Sequence, residues 1–241
     1  MPKVKKIYIG TNQVRPYRFN PWANTLAYYT FNNTMNNYSG LSYPDWVLNT
    51  AQFSTTQKHW NNEYSLYCNG STYAYLPASS LFEWGSSDRT ISVWLYSLTN
   101  TWQYTWFMSN YAWATPNYAL LRKWWRLSDR FNNSNQLNFC WNAWSNSDIW
   151  VDVTWWPSLY NTWWHNVVFT RISWVIKIYL DGELKLTNSS YTTNSMWLNN
   201  NINLWWNRAD NAYSNVYMND LIIEDRWWTE QEVADYYTLA A

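Results

Sequence analysis

Short segments in which apolar and polar side chains alternate run through most of this 241-residue sequence. The clearest is TISVWLY at residues 90–96, where Ile91, Val93 and Leu95 share one face and the residues between them share the other. A period of two indicates a strand with one face buried. Because comparable segments recur from Leu26 to Glu224, the pattern constrains the chain to an all-β fold.

Two dipeptides mark tight turns between such segments. Asp181-Gly182 separates two alternating runs, and Asn69-Gly70 separates residues 64–68 from residues 73–76. Both dipeptides favour the two-residue turns of β-hairpins, in which the central residues need positive φ. The sequence therefore predicts a hairpin at each place.

One segment near the C-terminus is predicted to be helical. Thr229 and Glu232 have the spacing of a capping box, in which each side chain satisfies a backbone N–H at the helix start. Val233, Tyr236 and Tyr237 then fall on one face of a helix.

Many short strands with almost no helix predict a two-sheet antiparallel jelly-roll β-sandwich with one short C-terminal helix. A sandwich of this length needs no division into two domains. Residues 22–241 are predicted to form that domain. Residues 1–21, with a short strand at 6–10 and prolines at 16 and 21, are predicted to form an N-terminal arm.

Charge and hydropathy exclude several classes of partner. The net charge is zero and only 13% of residues are charged, whereas binding to nucleic acid needs a basic surface. No apolar run approaches the roughly 18 residues of a membrane-spanning helix. Lys3, Lys5 and Lys6 are not followed by the apolar run of roughly 7–15 residues that a secretory signal requires.

The two cysteines leave the cellular compartment open. Cys68 and Cys140 allow one disulfide bond, but pairing cannot be deduced from the sequence. The favoured interpretation is two small buried residues on strands.

The order of five motifs resembles the laminin-G-like branch of the concanavalin A-like lectin/glucanase superfamily. They are TISVWLY at 90–96, Trp164-His165 followed by NVVFTR, IYLDGEL at 178–184, DLIIEDR at 220–226 and TEQEVADYY at 229–237. LAYYTFNN at 26–33 is similar to the first strand of that family, so the resemblance extends over residues 24–238.

The resemblance implies a jelly roll that binds glycans or protein partners, often outside the cell. We therefore expect a non-catalytic recognition module for a glycan or a surface protein, extracellular or associated with a virion, and able to form oligomers. The alternative is a structural or assembly protein, such as a virion decoration protein, without a soluble ligand. KKIYIGTNQVRP at residues 5–16 loosely resembles the start of phage virion proteins, although an extra edge strand would explain it equally well.

Enzymatic activity is the least favoured function. Glucanases of the superfamily carry an E-x-D-x-x-E cluster that supplies a nucleophile and a general acid, and the sequence has no such cluster. Glu224-Asp225 and the Glu230/Glu232 pair are interpreted as a strand end and a capping box. Two histidines, His59 and His165, are too few for a histidine zinc site.

Family members sometimes bind calcium, which takes oxygen ligands. Asn207, Asp210, Asn211 and Asp220 are the candidate ligands, and an ordinary polar loop is the alternative.

The chain has 23 Trp but only 5 Gly, whereas average usage predicts about 17 glycines. Trp205 lies where the family usually turns on Gly, Trp174 lies in a turn that Gly or Asn would suit, and Trp46 follows Asp45, where Asp-Gly would be the natural turn. Our hypothesis is that many of these tryptophans stand for UGA codons that the source reads as glycine, so that several should lie in tight turns or at positive φ. The resemblance favours genuine bulky residues at three other positions: Trp94, Trp164 and Trp228.

Overall fold

The computed structural model describes backbone and side chains for residues 23–56, 64–77, 87–96, 98, 163–173, 175–189 and 215–240, and the backbone alone for the other strand residues. The strands are Ile7–Ile9 (β1), Asn12–Val14 (β2), Thr25–Tyr29 (β3), Gln52–Ser54 (β4), Ser65–Asn69 (β5), Ala74–Leu76 (β6), Arg89–Ser97 (β7), Tyr104–Ser109 (β8), Lys123–Phe131 (β9), Asn135–Ala143 (β10), Asp148–Asp152 (β11), His165–Ile172 (β12), Val175–Leu180 (β13), Glu183–Asn188 (β14), Ile202–Leu204 (β15), Trp206–Asn207 (β16), Ala212–Tyr213 (β17) and Asn215–Glu224 (β18). A helix, α1, follows at Glu230–Ala240.

The strands form two large antiparallel sheets. The eight-stranded sheet has the order β14-β13-β12-β7-β18-β5-β4, and β3 also pairs with β18. The six-stranded sheet has the order β11-β10-β9-β8-β15-β6. This architecture and the terminal helix confirm the predicted fold class.

The inner face of the eight-stranded sheet is the face that packs on the core between the sheets. Ile91, Val93 and Leu95 of β7 lie there, as their alternation predicts, and Ala74 and Leu76 of β6 join the same core from the six-stranded sheet. Burying such side chains contributes roughly 1.5–3 kcal/mol each, which explains why register is firmly specified here.

The two cysteines lie on different sheets. Cys68 of β5 is buried in this core, and Cys140 lies on β10. The favoured interpretation, a small buried residue on a strand, is confirmed for Cys68, and burial of Cys140 stays a prediction.

The outer face of the eight-stranded sheet is covered in part by α1. The predicted capping box is confirmed, because Thr229 N donates to Glu232 Oε2 at 2.8 Å and Glu232 N donates to Thr229 Oγ1 at 3.2 Å. A second buried cluster joins the helix to the sheet: Tyr28, Trp94, Trp164, Val168, Tyr179, Ile222, Trp228, Val233, Tyr236 and Ala240. Tyr237 also stacks on Trp94, with ring centroids 5.7 Å apart.

One of the two predicted hairpins is confirmed. Asp181 (φ 52°) and Gly182 (φ 81°) join the antiparallel strands β13 and β14, with the positive φ at both positions that a type I′ turn needs. The hairpin prediction at Asn69-Gly70 is wrong, because β5 and β6 belong to different sheets. Gly70 does adopt positive φ, 82°, but this turn carries the chain from one sheet to the other.

The prediction that Trp46 occupies a glycine-type turn is also wrong. Its side chain is buried, its backbone N–H donates to the backbone carbonyl of Met35, and its ring packs edge-on against Tyr29 and Phe31. Among the described residues, no tryptophan has positive φ. Trp174 and Trp205 lie outside the described residues.

The two described strands of the N-terminal segment, β1 and β2, do not extend either large sheet. In the described backbone, β1 pairs with β2 in a two-stranded sheet of their own, so the edge-strand interpretation is wrong. The boundary between residues 21 and 22 stays a prediction. Within the described residues, no helix combines the length and the apolar composition needed to cross a membrane.

Candidate functional site

Four aromatic residues form a row across the outer face, at right angles to the strands. Tyr217 of β18 lies directly opposite Tyr96 of β7 on one side and Tyr67 of β5 on the other. Trp164 directly precedes β12, whose His165 pairs with Leu95, and this register puts Trp164 beside Tyr96. We call Trp164, Tyr96, Tyr217 and Tyr67 the aromatic row.

The rings of the aromatic row contact one another in sequence. Tyr67 and Tyr217 stack with centroids 4.5 Å apart and planes 19° apart, and Tyr217 and Tyr96 stack at 5.7 Å and 20°. Trp164 completes the row with tilted contacts of 6.1 Å to Tyr96 and 6.4 Å to Tyr217. Cross-strand aromatic pairs of this kind stabilise a sheet by roughly 0.2–1 kcal/mol each.

The stacking decides which parts of the rings meet solvent. Trp164 is buried, whereas Tyr67, Tyr96 and Tyr217 are half-buried. Strand side chains stand roughly perpendicular to the sheet, and the faces of neighbouring stacked rings lie against one another. The solvent side of the row therefore consists of ring edges and phenol hydroxyls, which repeat at the strand spacing of roughly 4.8 Å.

A polar side chain extends the row to the edge of the sheet. Gln52 of β4 lies directly opposite Tyr67 and is exposed. Its amide offers donors and an acceptor one strand beyond the last phenol. From Trp164 to Gln52 the row crosses five strands, about 19 Å at roughly 4.8 Å per step.

The phenol of Tyr67 is uncharged at neutral pH. Burial raises the pKa of Tyr67 above its ordinary value of 10, and the neighbouring Tyr217 and Cys68 raise this pKa further. The hydroxyl therefore keeps its proton and can both donate and accept a hydrogen bond.

The Trp164 end of the row is held by the turn after β13. His165 Nδ1 lies 2.6 Å from Asp181 Oδ2, and Asn166 N donates to Asp181 Oδ1 at 2.8 Å. Asp181 N donates back to the carbonyl of Asn166 at 2.9 Å. These bonds fix the start of β12, which gives His165 a positioning role.

The acidic residues near the C-terminus form a structural network. Glu224 is fully buried, and its Oε2 accepts from Trp228 Nε1 at 2.6 Å while its Oε1 accepts from Thr25 Oγ1 at 3.0 Å. Arg226 bridges Glu224 and Glu232, at 2.9 and 2.8 Å. Because Glu224 has no solvent contact, Glu224 and Glu232 are not placed to act together on a glycosidic bond as nucleophile and acid.

The candidate calcium ligands are only partly covered by the described residues. Asp220 lies inside β18 at a bulge, has φ 45°, and its Oδ1 accepts from Tyr28 OH at 3.2 Å. Asn207 belongs to β16, while Asp210 and Asn211 lie outside the described residues. In the described part of the chain, no group of three or more His, Cys, Asp or Glu side chains is arranged to hold a metal.

The aromatic row was not identified from the sequence. The signal available was a large aromatic on the non-core face of a strand, as at Tyr96, where an exposed sheet would carry a polar residue. Which aromatics become neighbours depends on the register between strands that are distant in the sequence, and no local pattern specifies that register.

Comparison with known proteins supports the fold over most of the chain. A laminin-G-like family model, described as the concanavalin A-like lectin/glucanases superfamily, matches residues 68–234. No curated protein sequence matches the chain significantly.

Several solved structures share this fold. One is domain 4 of AbnA, an extracellular arabinanase of family GH43 from Geobacillus stearothermophilus, in complex with arabinotriose. It aligns with 90% of this chain and 98% of that domain, at a TM-score of 0.63 and 19% identity. The receptor-binding domain of botulinum neurotoxin type G aligns at a TM-score of 0.62 and 15% identity, covering 90% of this chain but 51% of the toxin domain.

A structure of botulinum neurotoxin type C, whose cell entry depends on interaction with two ganglioside molecules, is also similar. It aligns at a TM-score of 0.66 and 13% identity, covering 90% of this chain and 51% of that one. The chain thus spans about half the length of these toxin domains.

Proposed function

The chain belongs to the concanavalin A-like lectin/glucanases superfamily, and from this premise we propose that it is a non-catalytic recognition module that binds glycan through the aromatic row. The row is the observation that carries the proposal. Tyrosines combine an apolar ring with a polar end, and a sugar likewise combines apolar C–H groups with hydroxyls. A half-exposed row of such rings on a rigid sheet suits a binding surface.

Two of the similar structures support a recognition role. The arabinanase domain is in complex with arabinotriose, and the type C neurotoxin interacts with gangliosides. Both are proteins that contact saccharides, and the arabinanase domain matches this chain over nearly its whole length. The same comparisons support a position outside the cell, where such saccharides are displayed.

A glycan array followed by calorimetry tests the proposal. We expect binding by the wild-type protein, a loss of about tenfold or more in affinity for Tyr217→Ala, and partial retention for Tyr217→Phe, which keeps the ring. Tyr38 is 49% exposed and lies outside the row, so Tyr38→Ala is the matched control. Equal affinity in Tyr217→Ala and Tyr38→Ala would show that the ligand binds elsewhere.

A structural or assembly role, as in virion decoration, is the second candidate. The separate β1–β2 sheet favours it, because these two strands do not pair with either large sheet of the sandwich and could contact another subunit. Light scattering of the full chain tests it: a stable oligomer together with an array that shows no glycan binding would replace recognition by assembly. A monomer that binds glycan would exclude this role.

Calcium binding by Asn207, Asp210, Asn211 and Asp220 is a separate proposal. Asp220 is the described member of this set, and Tyr28 already donates to one of its oxygens. Calorimetric titration of the chelator-treated protein with calcium tests the site. We expect Asp220→Asn to weaken calcium binding, and titration without heat in the wild-type protein would refute it.

A further inference from the structure

We propose that the aromatic row selects a neutral, unbranched oligosaccharide that lies across the strands, and this inference rests on the proposed function. Such a ligand would place successive sugar hydroxyls against the phenols of Tyr96, Tyr217 and Tyr67, and would end on the amide of Gln52. Charge, orientation and the boundary of the surface each support this choice of ligand.

Charge is the first argument, because the strand residues that neighbour the row on its own face are uncharged, and the carboxylate at the Trp164 end, that of Asp181, is bonded to His165. On a strand, the residues two positions away share the same face. Those positions carry Ser54 on β4, Ser65 and Asn69 on β5, Trp94 on β7, Asn166 on β12, and Asn215 and Asn219 on β18. An acidic sugar would therefore meet no cation among the described residues that flank the row.

The arginines of the same sheet lie far from the row. Arg89 and Arg171 are paired across β7 and β12, and both follow the alternation of the core-facing residues. Arg89 is separated from Tyr96 by most of β7, about 23 Å at roughly 3.3 Å per residue. At that distance the Coulomb attraction between these arginines and a carboxylate at the row is weak.

The orientation of the rings is the second argument. Tyr67, Tyr217 and Tyr96 stack on each other with planes 19–20° apart, so both faces of Tyr217 and the facing sides of its two neighbours are occupied. The ligand contacts edges and hydroxyls, and hydrogen bonding outweighs stacking. A linear chain of hydroxyl-bearing rings can follow this line of regularly spaced hydroxyls, and a compact branched ligand cannot.

The helix supplies the third argument. Trp94, two residues from Tyr96 along β7 and on the same face, is covered by Tyr237 of α1. A branch that extends from the oligosaccharide towards Trp94 would meet the helix. One flank of the row is therefore closed, which selects against branching.

Calorimetry with three ligand classes tests the inference on the full chain. The probes are a length series of linear arabino-oligosaccharides and cello-oligosaccharides, sialyllactose as the acidic ligand, and a branched arabino-oligosaccharide of matched size. We expect at least one linear series to bind, with affinity rising with length until the chain spans the row. We expect the affinities for sialyllactose and for the branched sugar to be lower than that for the linear ligand by about tenfold or more. The affinity for the linear ligand should fall by less than about twofold between about 50 and about 500 mM salt.

Gln52→Ala provides an internal check on the orientation. If the oligosaccharide lies across the strands, this variant should bind short oligosaccharides with the affinity of the wild type. Its affinity should not rise further when the oligosaccharide becomes long enough for its last sugar to reach β4. Tyr38→Ala should follow the wild type at every length.

The outcomes separate this inference from the proposed function. Tighter, salt-sensitive binding of sialyllactose, or of the branched sugar, that is lost in Tyr217→Ala would overturn the inference and keep the row as a glycan site. No binding of any saccharide would overturn both.

Discussion

The indole Nε1 of Trp228 donates to Glu224 Oε2 at 2.6 Å in a place where neither side chain is more than 1% exposed. Glu224 ends β18, and Trp228 lies two residues before the helix. The bond therefore fastens the start of α1 to the outer face of the sheet. Because the acceptor is a buried carboxylate, its loss should be costly.

Replacing this donor should destabilise the protein. Trp228→Phe keeps most of the buried ring but removes the N–H from Glu224, and hydrogen bonds to charged groups contribute roughly 1.5–3 kcal/mol. We expect a loss of that size in the free energy of unfolding, measured with urea. Trp227→Phe, at a half-buried neighbour, is the control and should cost less, and equal effects of the two changes would contradict the prediction.

Glu224 should also make stability depend on pH. Burial raises its pKa above the ordinary value of 4.5, although the bonds from Trp228 and Thr25 and the charge of Arg226 oppose this shift. The folded state therefore holds the proton more tightly than the unfolded state, and the free energy of unfolding falls as pH rises from about 4.5 to the raised pKa.

Glu224→Gln removes this titration. The difference in unfolding free energy between the wild type and Glu224→Gln, measured by urea denaturation at several pH values, isolates it from other groups. We expect the wild type to lose stability relative to the variant on going up through that interval. A difference that is constant with pH would show that Glu224 titrates alike in both states.

The features predicted correctly depend on residues close together in the sequence. The capping box needs only Thr229 and Glu232, and the hairpin at Asp181-Gly182 needs only a turn dipeptide between two alternating runs. Their physical causes, a hydrogen bond over three residues and a backbone that tolerates positive φ, act locally.

The features that were missed depend on contacts over long sequence separations. Asn69-Gly70 has the chemistry of a hairpin turn, but the residues after it pair in the other sheet because the core there is filled by Ala74 and Leu76. Trp46 follows an Asp, as a turn glycine would, yet its ring fills a place against Tyr29 and Phe31. The aromatic row likewise exists only once β5, β18 and β7 are in register.

Gly182 should resist substitution more than Gly40 does. Both have positive φ, 81° and 80°, but a Cβ at Gly182 would lie 3.1 Å from the ring and Cβ of Tyr237, whereas a Cβ at Gly40 would meet nothing within 4 Å. Gly40→Ala therefore measures the backbone strain alone, about 1–2 kcal/mol. We expect Gly182→Ala to cost more than this in urea denaturation.

The extra cost should disappear when the neighbouring ring is removed. Combining Gly182→Ala with Tyr237→Ala should bring its effect down to that of Gly40→Ala, since the contact with Tyr237 is gone. If Gly182→Ala costs no more than Gly40→Ala in the first place, α1 does not pack on this turn as described.

The turn between β12 and β13 gives the sharpest test of the recoding hypothesis. Ile172 pairs with Val175, so the loop has two residues, and Ser173 has φ 50°. The next turn has Asp181 at φ 52°, followed by Gly182 at φ 81°, which is the type I′ pattern with glycine favoured second. Trp174 itself lies outside the described residues.

If position 174 needs a glycine, as the recoding hypothesis holds, Trp174→Gly should raise the free energy of unfolding by about 1 kcal/mol, since the second position of a type I′ turn needs positive φ, which glycine adopts without strain. Trp94→Gly should lower it by at least about 3–5 kcal/mol, because Trp94 is buried under α1 and its removal leaves a cavity. Trp46→Gly should behave like Trp94→Gly, in line with its buried ring. In the gene we accordingly expect UGA at position 174 and UGG at position 94; a UGG codon at 174, or a destabilised Trp174→Gly variant, would reject a glycine at this turn.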